Sequence, residues 1–446
     1  MILPERFKRS MQSQLGDEFP DFEAALQSET PVSVRVNPSK PFDSHGWTEK
    51  IPWTDYGYYL PERPVFTLDP AFHAGAYYVQ EASSMVIEQV LKQHAPKNGP
   101  IRVLDLCAAP GGKTTHLASL LGPDDLLVAN EVIKGRVGVL RENLMKWGYP
   151  NVIVSQQDPE TFADLEGFFD VVLVDAPCSG EGMFRKTPDA TSEWSEGNVE
   201  LCSSRQKRIL SAAAMLVAPD GILLYSTCTY NRAENQENAQ WLTRTLDFEG
   251  LEINVPESWG IVNANPGLQF YPHRVKGEGF YIAAFRNKSR DERFVKGRPQ
   301  LARLSRQLTE LVQPWIKGEG YEYFQKNDGG IVALKSDLIP AMGSVLKALQ
   351  KRSSGLELGH FKGKDFVPSH ALALSTLLPE STPAIDLDER QALLFLKKEA
   401  FELPGTASGW VIMKYKNLAL GWAKAVGPRF NNYLPTDWRI RMKLED

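Results

Sequence analysis

Five short apolar runs alternate with longer helical patterns from Ile101 onwards. The runs are IRVLDL, LLVANE, NVIVSQQD, FDVVLVDAP and GILLYSTC. Helical patterns such as KTTHLASLLG, GRVGVLRENLMKWG and SSRQKRILSAAAMLVAPDG separate them. The runs are nearly continuous in apolar residues, as in strands buried on both faces. Strand–helix alternation of this kind closes into a parallel sheet through right-handed crossovers. The expected fold class is therefore α/β, with a doubly wound, Rossmann-like domain over residues 73–290. Ligands of such a sheet bind beyond the carboxyl ends of its strands.

That rule turns the residues after each run into one edge. Cys107–Lys113 (CAAPGGK) follows the first run, Glu131 the second and Asp158 the third. Asp175, Pro177 and Cys178 (DAPCSGEGMFRK) follow the fourth, and Thr227 and Cys228 the fifth. Singly, each has an ordinary explanation: an Asp after a strand caps a helix, and a lone Cys fills a core. Their convergence at five successive strand ends marks a site.

The chain has 446 residues, too many for one ordinary domain. Residues 1–72 read as a small α+β module, with a helical PERFKRSMQSQLGDEFPDFEAALQ before PVSVRVN and YGYYL. Residues 291–380 read as a basic linker and an intermediate region of unclear pattern. Residues 381–446 carry short strands and Gly/Pro turns, the mark of a compact β-rich end domain. No apolar run approaches the roughly 20 residues that span a bilayer. The N-terminus has no signal-peptide core, so a cytoplasmic protein with no membrane partner is expected.

The formal net charge of −5 says little about nucleic acid, because only a local basic face matters. Phe285–Arg306 holds eight Lys/Arg against two acids. Trp410–Lys443 holds seven against one and interleaves Trp410, Tyr415, Trp422, Phe430, Tyr433 and Trp438. Basic charge with aromatics points to RNA. The competing readings are a solvated linker and the core of a small β-domain.

The glycine turn admits two chemistries. CAAPGGKT nearly matches the phosphate loop GxxxxGK[ST], and VVLVDAP looks like the strand and Asp that hold Mg²⁺ in P-loop NTPases. Here Cys107 replaces the first glycine, and Pro110 removes an amide that the anion needs. A nucleoside cofactor of the S-adenosylmethionine type suits the turn better. Glu131 then takes the ribose hydroxyls and Asp158 reaches the adenine.

The cysteines are Cys107, Cys178, Cys202 and Cys228, with no CxxC pair and hence no zinc signature; no metal is expected. Cysteines at two strand ends suit methylation of cytosine carbon 5. A thiolate adding to C6 makes C5 nucleophilic, and loss of the C5 proton later frees the thiol. Asp175 is placed to hydrogen-bond N3 and the amine, and Lys113 to favour a thiolate. Spacing alone leaves open which of Cys178 and Cys228 attacks. Cys107 and Cys202 are expected to be packing residues, His116 structural, and Arg185 and Lys186 candidate phosphate contacts. Gln80 and Glu81 read as a helix start or a substrate contact.

AAPGGKT, DAPCSGEG and YSTCT together resemble the Sun-type (Nop/Sun) RNA cytosine-5 methyltransferase family. HAGAYYVQEASSM, GEGMFRKTPDA and VKGEGFYIAAF look like its RsmF-like ribosomal RNA subgroup, and the β-rich end like its PUA-like RNA-binding domain. The resemblance implies that Cys228 is the nucleophile and Cys178 serves product release. It also implies that Cys107, Ala108, Ala109, Pro110, Gly111, Gly112, Lys113, Glu131, Asp158 and Asp175 contact S-adenosyl-L-methionine. The implied partner is 16S rRNA or the small ribosomal subunit, met by a monomer whose N-terminal module also binds RNA. Alternatives are a tRNA cytosine-5 methyltransferase, a P-loop-like NTPase and a non-catalytic RNA-binding assembly factor.

Overall fold

The computed structural model describes residues 2–44, 46–289, 302–350, 355–402, 407–427 and 429–444. Strands are numbered in chain order. The chain opens with helices Glu5–Leu15 and Phe19–Gln27. Their apolar residues recur at helical spacing, with Phe7 and Met11 buried on the first and Phe19, Phe22 and Leu26 on the second. This face packs on Phe184, Tyr230 and Tyr271 of the next domain. An antiparallel sheet follows, made of β1 (Val32–Val36), β2 (Glu49–Lys50), β3 (Gly57–Leu60) and β4 (Tyr77–Val79), in the order β2-β3-β1-β4. β4 pairs with β1, Val34 opposite Val79, so this sheet runs past the boundary expected at residue 72.

The central sheet has five parallel strands: β5 (Arg102–Asp105), β6 (Leu126–Asn130), β7 (Val152–Ser155), β8 (Phe169–Asp175) and β9 (Val217–Thr227). Their order is β7-β6-β5-β8-β9, so it reverses between β5 and β8. Leu126–Ala129 and Val171–Val174 are completely buried, as strands with helices on both faces must be. Each such Val or Leu contributes about 1.5–3 kcal/mol by burial. Beyond β9 the sheet turns antiparallel, through β10 (Phe248–Leu251), β11 (Val262–Asn263), β12 (Leu268–Phe270) and β13 (Phe280–Asn287). β13 lies against β9 with Tyr281 opposite Thr227 and covers the edge beside Cys228.

Residues 302–368 form a five-stranded antiparallel sheet in place of a patternless linker: β14 (Ala302–Arg303), β15 (Tyr321–Gln325), β16 (Gly330–Lys335), β17 (Leu356–Lys362) and β18 (Asp365–Pro368). Its two faces alternate with period two. Phe324, Val332 and Leu334 join the core of the central sheet, while Tyr323, Ile331 and Ala333 pack with Ile412 and Trp422. The last sheet holds β19 (Ala384–Leu387), β20 (Ala407–Tyr415), β21 (Leu418–Gly427) and β22 (Arg429–Asn432). It shares a core with the first sheet: Val34, Leu60 and Tyr77 pack with Leu387, Val411, Met413 and Leu420.

Of the two basic segments, the first falls largely outside the described residues, at 290–301; its Arg303 pairs with Glu322. In the second, Trp422 and Tyr415 are buried and serve the core, and Tyr433 is exposed. No helix among the described residues is long and apolar enough to cross a membrane.

Candidate active site

The turn after β5 is where the glycines are needed. Gly111 has φ +112° and sits just before helix Gly112–Leu120, a backbone that a side chain strains. Ala108 N donates to Asn130 O at 2.8 Å. Asn130 ties three strand ends together: its amide donates to Leu106 O and Gln157 O and accepts from the Ser155 hydroxyl and Gln157 N. Beneath the turn, Asp105 accepts from the Thr114 hydroxyl at 2.6 Å. Its other carboxyl oxygen is buried without a partner. Burial pushes the Asp105 carboxyl up to about 7, against the Thr114 hydroxyl that holds it down.

A cavity of about 180 Å³ opens over this turn. The sequence-derived residues on its wall are Cys107, Ala108, Ala109, Pro110, Gly112, Lys113 and Asp175. Gln80 and Glu81, read as a helix start or a substrate contact, line it too, with Tyr78, Val79, Ser84 and Asp105; the runs had not singled out Asp105 or Tyr78. Asp105 had a signal, as the one acid within the run IRVLDL. Gly111, Glu131 and Asp158 do not line the cavity. The buried Glu131 accepts from Ile133 N and pairs with Arg136. Asp158 caps the turn Pro159–Leu165 and faces Arg208 at 3.6 Å, which is the ordinary work of an Asp after a strand.

Across the switch point, Lys113 Nζ meets Asp175 Oδ2 at 2.9 Å, and the Ser226 hydroxyl donates to Asp175 Oδ1. Burial works against the Lys113 charge, yet Asp175 outweighs it and holds the ammonium above its ordinary range. Next to this pair the two strand-end cysteines converge, with Cys178 Sγ and Cys228 Sγ 3.0 Å apart. Cys228 N donates to Cys178 Sγ at 3.3 Å. The hydrogen bond with Cys228, then burial, then the charge of Cys228, and after these the charge of Glu234 hold the Cys178 thiol well above the usual thiol range. Burial raises the Cys107 thiol as well. Cys202 is half-buried on helix Glu196–Leu216, so it is not the core residue expected.

Two buried carboxylates that the sequence reading passed over brace the cysteine loops. Glu181 accepts from Tyr230 N, Asn231 N, the Thr229 hydroxyl and the Trp194 indole. Glu234 accepts from Ser179 N, Gln206 Nε2 and Asn231 Nδ2. Gly182 N donates to Cys228 O at 2.9 Å, close enough that only glycine fits. Arg185 is no surface phosphate contact: its side chain is 4% exposed and bonded to Glu278, while Lys186 beside it is exposed. Glu81 caps Ser83 and Ser84, and Gln80 accepts from the buried Arg35. His116 is buried against Glu88.

Comparison with known proteins decides the family. Residues 89–286 match the model of the 16S rRNA methyltransferase RsmB/F, 3–82 the N-terminal domain of RsmF and 382–440 its PUA domain. A ribosomal RNA small subunit methyltransferase F of Pectobacterium atrosepticum is 30% identical over 98% of this chain and 95% of its own. The chain belongs to the RsmB/F family of 16S rRNA methyltransferases. A second family member, from Shewanella loihica, is 31% identical over 91% of this chain and 88% of its own. Among solved structures, a methyltransferase homolog protein from Pyrococcus horikoshii covers 64% of this chain and 95% of its own, at 30% identity and a TM-score of 0.55. Membership in the RsmB/F family agrees with the two-cysteine edge and with sheets flanking the central domain on both sides.

Proposed function

We propose that this chain methylates carbon 5 of a cytosine in 16S ribosomal RNA, in the cytoplasm, with S-adenosylmethionine as donor. One observation carries the reading: two thiols 3.0 Å apart stand beside the Lys113–Asp175 pair, next to a cavity walled by the glycine turn. The residues fit the donor, a cation. Asp105 lines that cavity, and its buried, unpartnered oxygen is a spare acceptor for an ammonium or amine. Residues 107–110, Gly112, Lys113 and Asp175 hold the donor, which supplies an electrophilic methyl group. Glu131 and Asp158 complete the contact only by leaving Arg136 and Arg208.

Cys228 adds to C6 as the thiolate, while Asp175 hydrogen-bonds the base edge and Lys113 balances the charge. After C5 has been methylated, water takes its proton, the freed pair forms the C5–C6 double bond, and the C6–S bond breaks with Cys228 leaving as the thiolate. Cys178 then hydrogen-bonds the departing Cys228 sulfur. The phosphate-loop reading loses its donors: Ala108 N already serves Asn130 O, and Pro110 has no N–H. The PUA-like sheet and the N-terminal module recognise RNA in this proposal.

The test pairs two variants with methyl donor and RNA. Cys228→Ala abolishes methylation, and Cys178→Ala accumulates a covalent protein–RNA adduct that survives denaturing electrophoresis. Methylation surviving in Cys228→Ala refutes the assignment. Bisulfite sequencing of RNA from a deletion strain separates a ribosomal from a transfer RNA target.

A further inference from the structure

Two thiols in contact present a choice. The chemistry needs one as the thiolate and the other as the thiol, and the cysteines themselves are nearly equivalent. Each follows a parallel strand, on neighbouring strands, and each is partly exposed. The difference between them lies underneath.

Glu234 is fully buried below the Pro177–Ser179 turn. Its oxygens accept from Ser179 N at 3.0 and 3.3 Å, from Gln206 Nε2 at 2.6 Å and from Asn231 Nδ2 at 2.7 Å. Gln206 reaches Pro177 O with the same amide, so the turn and the carboxylate are fixed to each other. Every partner is an N–H donor, and among the described residues none is a cation. An anion without a counter-ion in a low-dielectric interior acts strongly on its neighbours. The available cation lies at the other end of the site: Lys113, bound to Asp175 and sensing the charge of Cys228. Other titratable groups near Cys178 are Cys228 itself, Asp175, Glu181, Cys202 and the buried Tyr225, whose hydroxyl donates to Glu234 O. None of these is a cation; Arg205 acts on Cys202 alongside Glu234, and Lys113 is the cation that Cys228 faces.

We propose that Glu234 is a positioning residue that assigns the single proton of the cysteine pair: its unpaired buried carboxylate keeps Cys178 as the thiol and leaves the thiolate to Cys228. A second anion at Cys178 would sit over Glu234 with nothing between them but neutral donors. At Cys228 the same charge faces Lys113. The carboxylate thus fixes which cysteine attacks and keeps a proton on the one that assists release. This deepens the function proposed above and rests on it.

Iodoacetamide reports the thiolate fraction of each cysteine, with the labelled residues resolved by peptide mass spectrometry over a pH series. In the full-length protein Cys228 is labelled first and Cys178 at higher pH. Glu234→Gln removes the charge at nearly constant shape. It lowers the Cys178 labelling midpoint by about one pH unit, roughly a tenfold rise in rate below the midpoint. Glu234→Asp keeps the charge and holds the midpoint within a few tenths of a unit. A merely structural role would move both variants alike, and that result overturns the proposal. So does an unmoved midpoint in Glu234→Gln with native circular dichroism. If Glu234→Gln does not fold, Asn231→Ser takes one donor from the carboxylate and raises the Cys178 midpoint; a midpoint that stays or falls overturns the proposal. Inactivity of Cys228→Ala with an unmoved Cys178 midpoint sinks this inference alone. Methylation surviving in Cys228→Ala sinks the reading beneath it.

Discussion

Asp105→Asn tests the electrostatics beneath the glycine turn in the ligand-free protein. Asp105 is 1% exposed, with one oxygen on the Thr114 hydroxyl and the other unpartnered, and burial lifts its carboxyl to about 7. In the unfolded chain the same group titrates near 3.9. Between those values the folded state binds the extra proton, so its stability falls as pH rises. The contribution is fully present below about pH 4 and lost through about pH 7. Integrating the two titrations, the stability of Asp105→Asn relative to the parent protein grows by roughly 2–3 kcal/mol between about pH 5 and about pH 8. Any fixed packing difference of the amide cancels, because only the pH dependence is compared. Urea unfolding at several pH values measures it, provided both proteins keep the same slope. Parallel curves across that window, or an advantage that grows towards acid, refute the reasoning.

Gly182→Ala places a Cβ 2.8 Å from Cys228 O and 2.6 Å from Gly279 O, both backbone atoms that cannot rotate away. The expected cost is about 1–3 kcal/mol in thermal unfolding, with methylation slowed on the order of 100-fold by the displaced Cys228; native stability and rate together would contradict it. Arg185→Ala leaves the buried Glu278 carboxylate unpaired and costs about 3–5 kcal/mol in chemical denaturation. Lys186→Ala on the neighbouring exposed residue stays within about 0.5 kcal/mol.

The parallel strands and the edge they define were legible because the signal is local. Val171–Val174 must be buried on both faces, and a sequence run states that directly. The convergence of Cys178 and Cys228 followed from strand ends alone. The brace around them did not. Glu181 sits in a stretch that reads as a polar insertion and Glu234 at the polar start of a helical pattern, and only the fold buries them. Arg185 was misread for the same reason, since GEGMFRK looks like an exposed loop until the N-terminal helices cover Phe184. Glu131 and Asp158 were placed at their strand ends, but which way a carboxylate turns depends on Ile133 N, Arg136 and Arg208, which spacing does not encode. Residues 302–368 gave no clear pattern because β16 and the middle of β15 are buried on both faces by different partners, which blurs the alternation.

That double burial bears on how RNA recognition by the end modules can be judged. The last sheet is no separate tail: Leu387, Val411, Met413 and Leu420 close one core with Val34, Leu60 and Tyr77 of the first sheet. The first sheet in turn positions Arg35, whose guanidinium lies 4.4 Å over Trp147 and bonds Thr115 and Gln80, the latter on the cavity wall. Thr376 N donates to Gly148 O at 2.9 Å, so the stretch leading to the last sheet is bonded to the end of helix Lys134–Trp147. Removing residues beyond 381 therefore strips apolar cover from the sheet that carries Tyr78 to the cavity wall. Inactivity of such a truncation would not by itself report a lost RNA contact. Only exposed positions such as Tyr433 and Arg429, changed one at a time with stability held constant, can separate recognition from support.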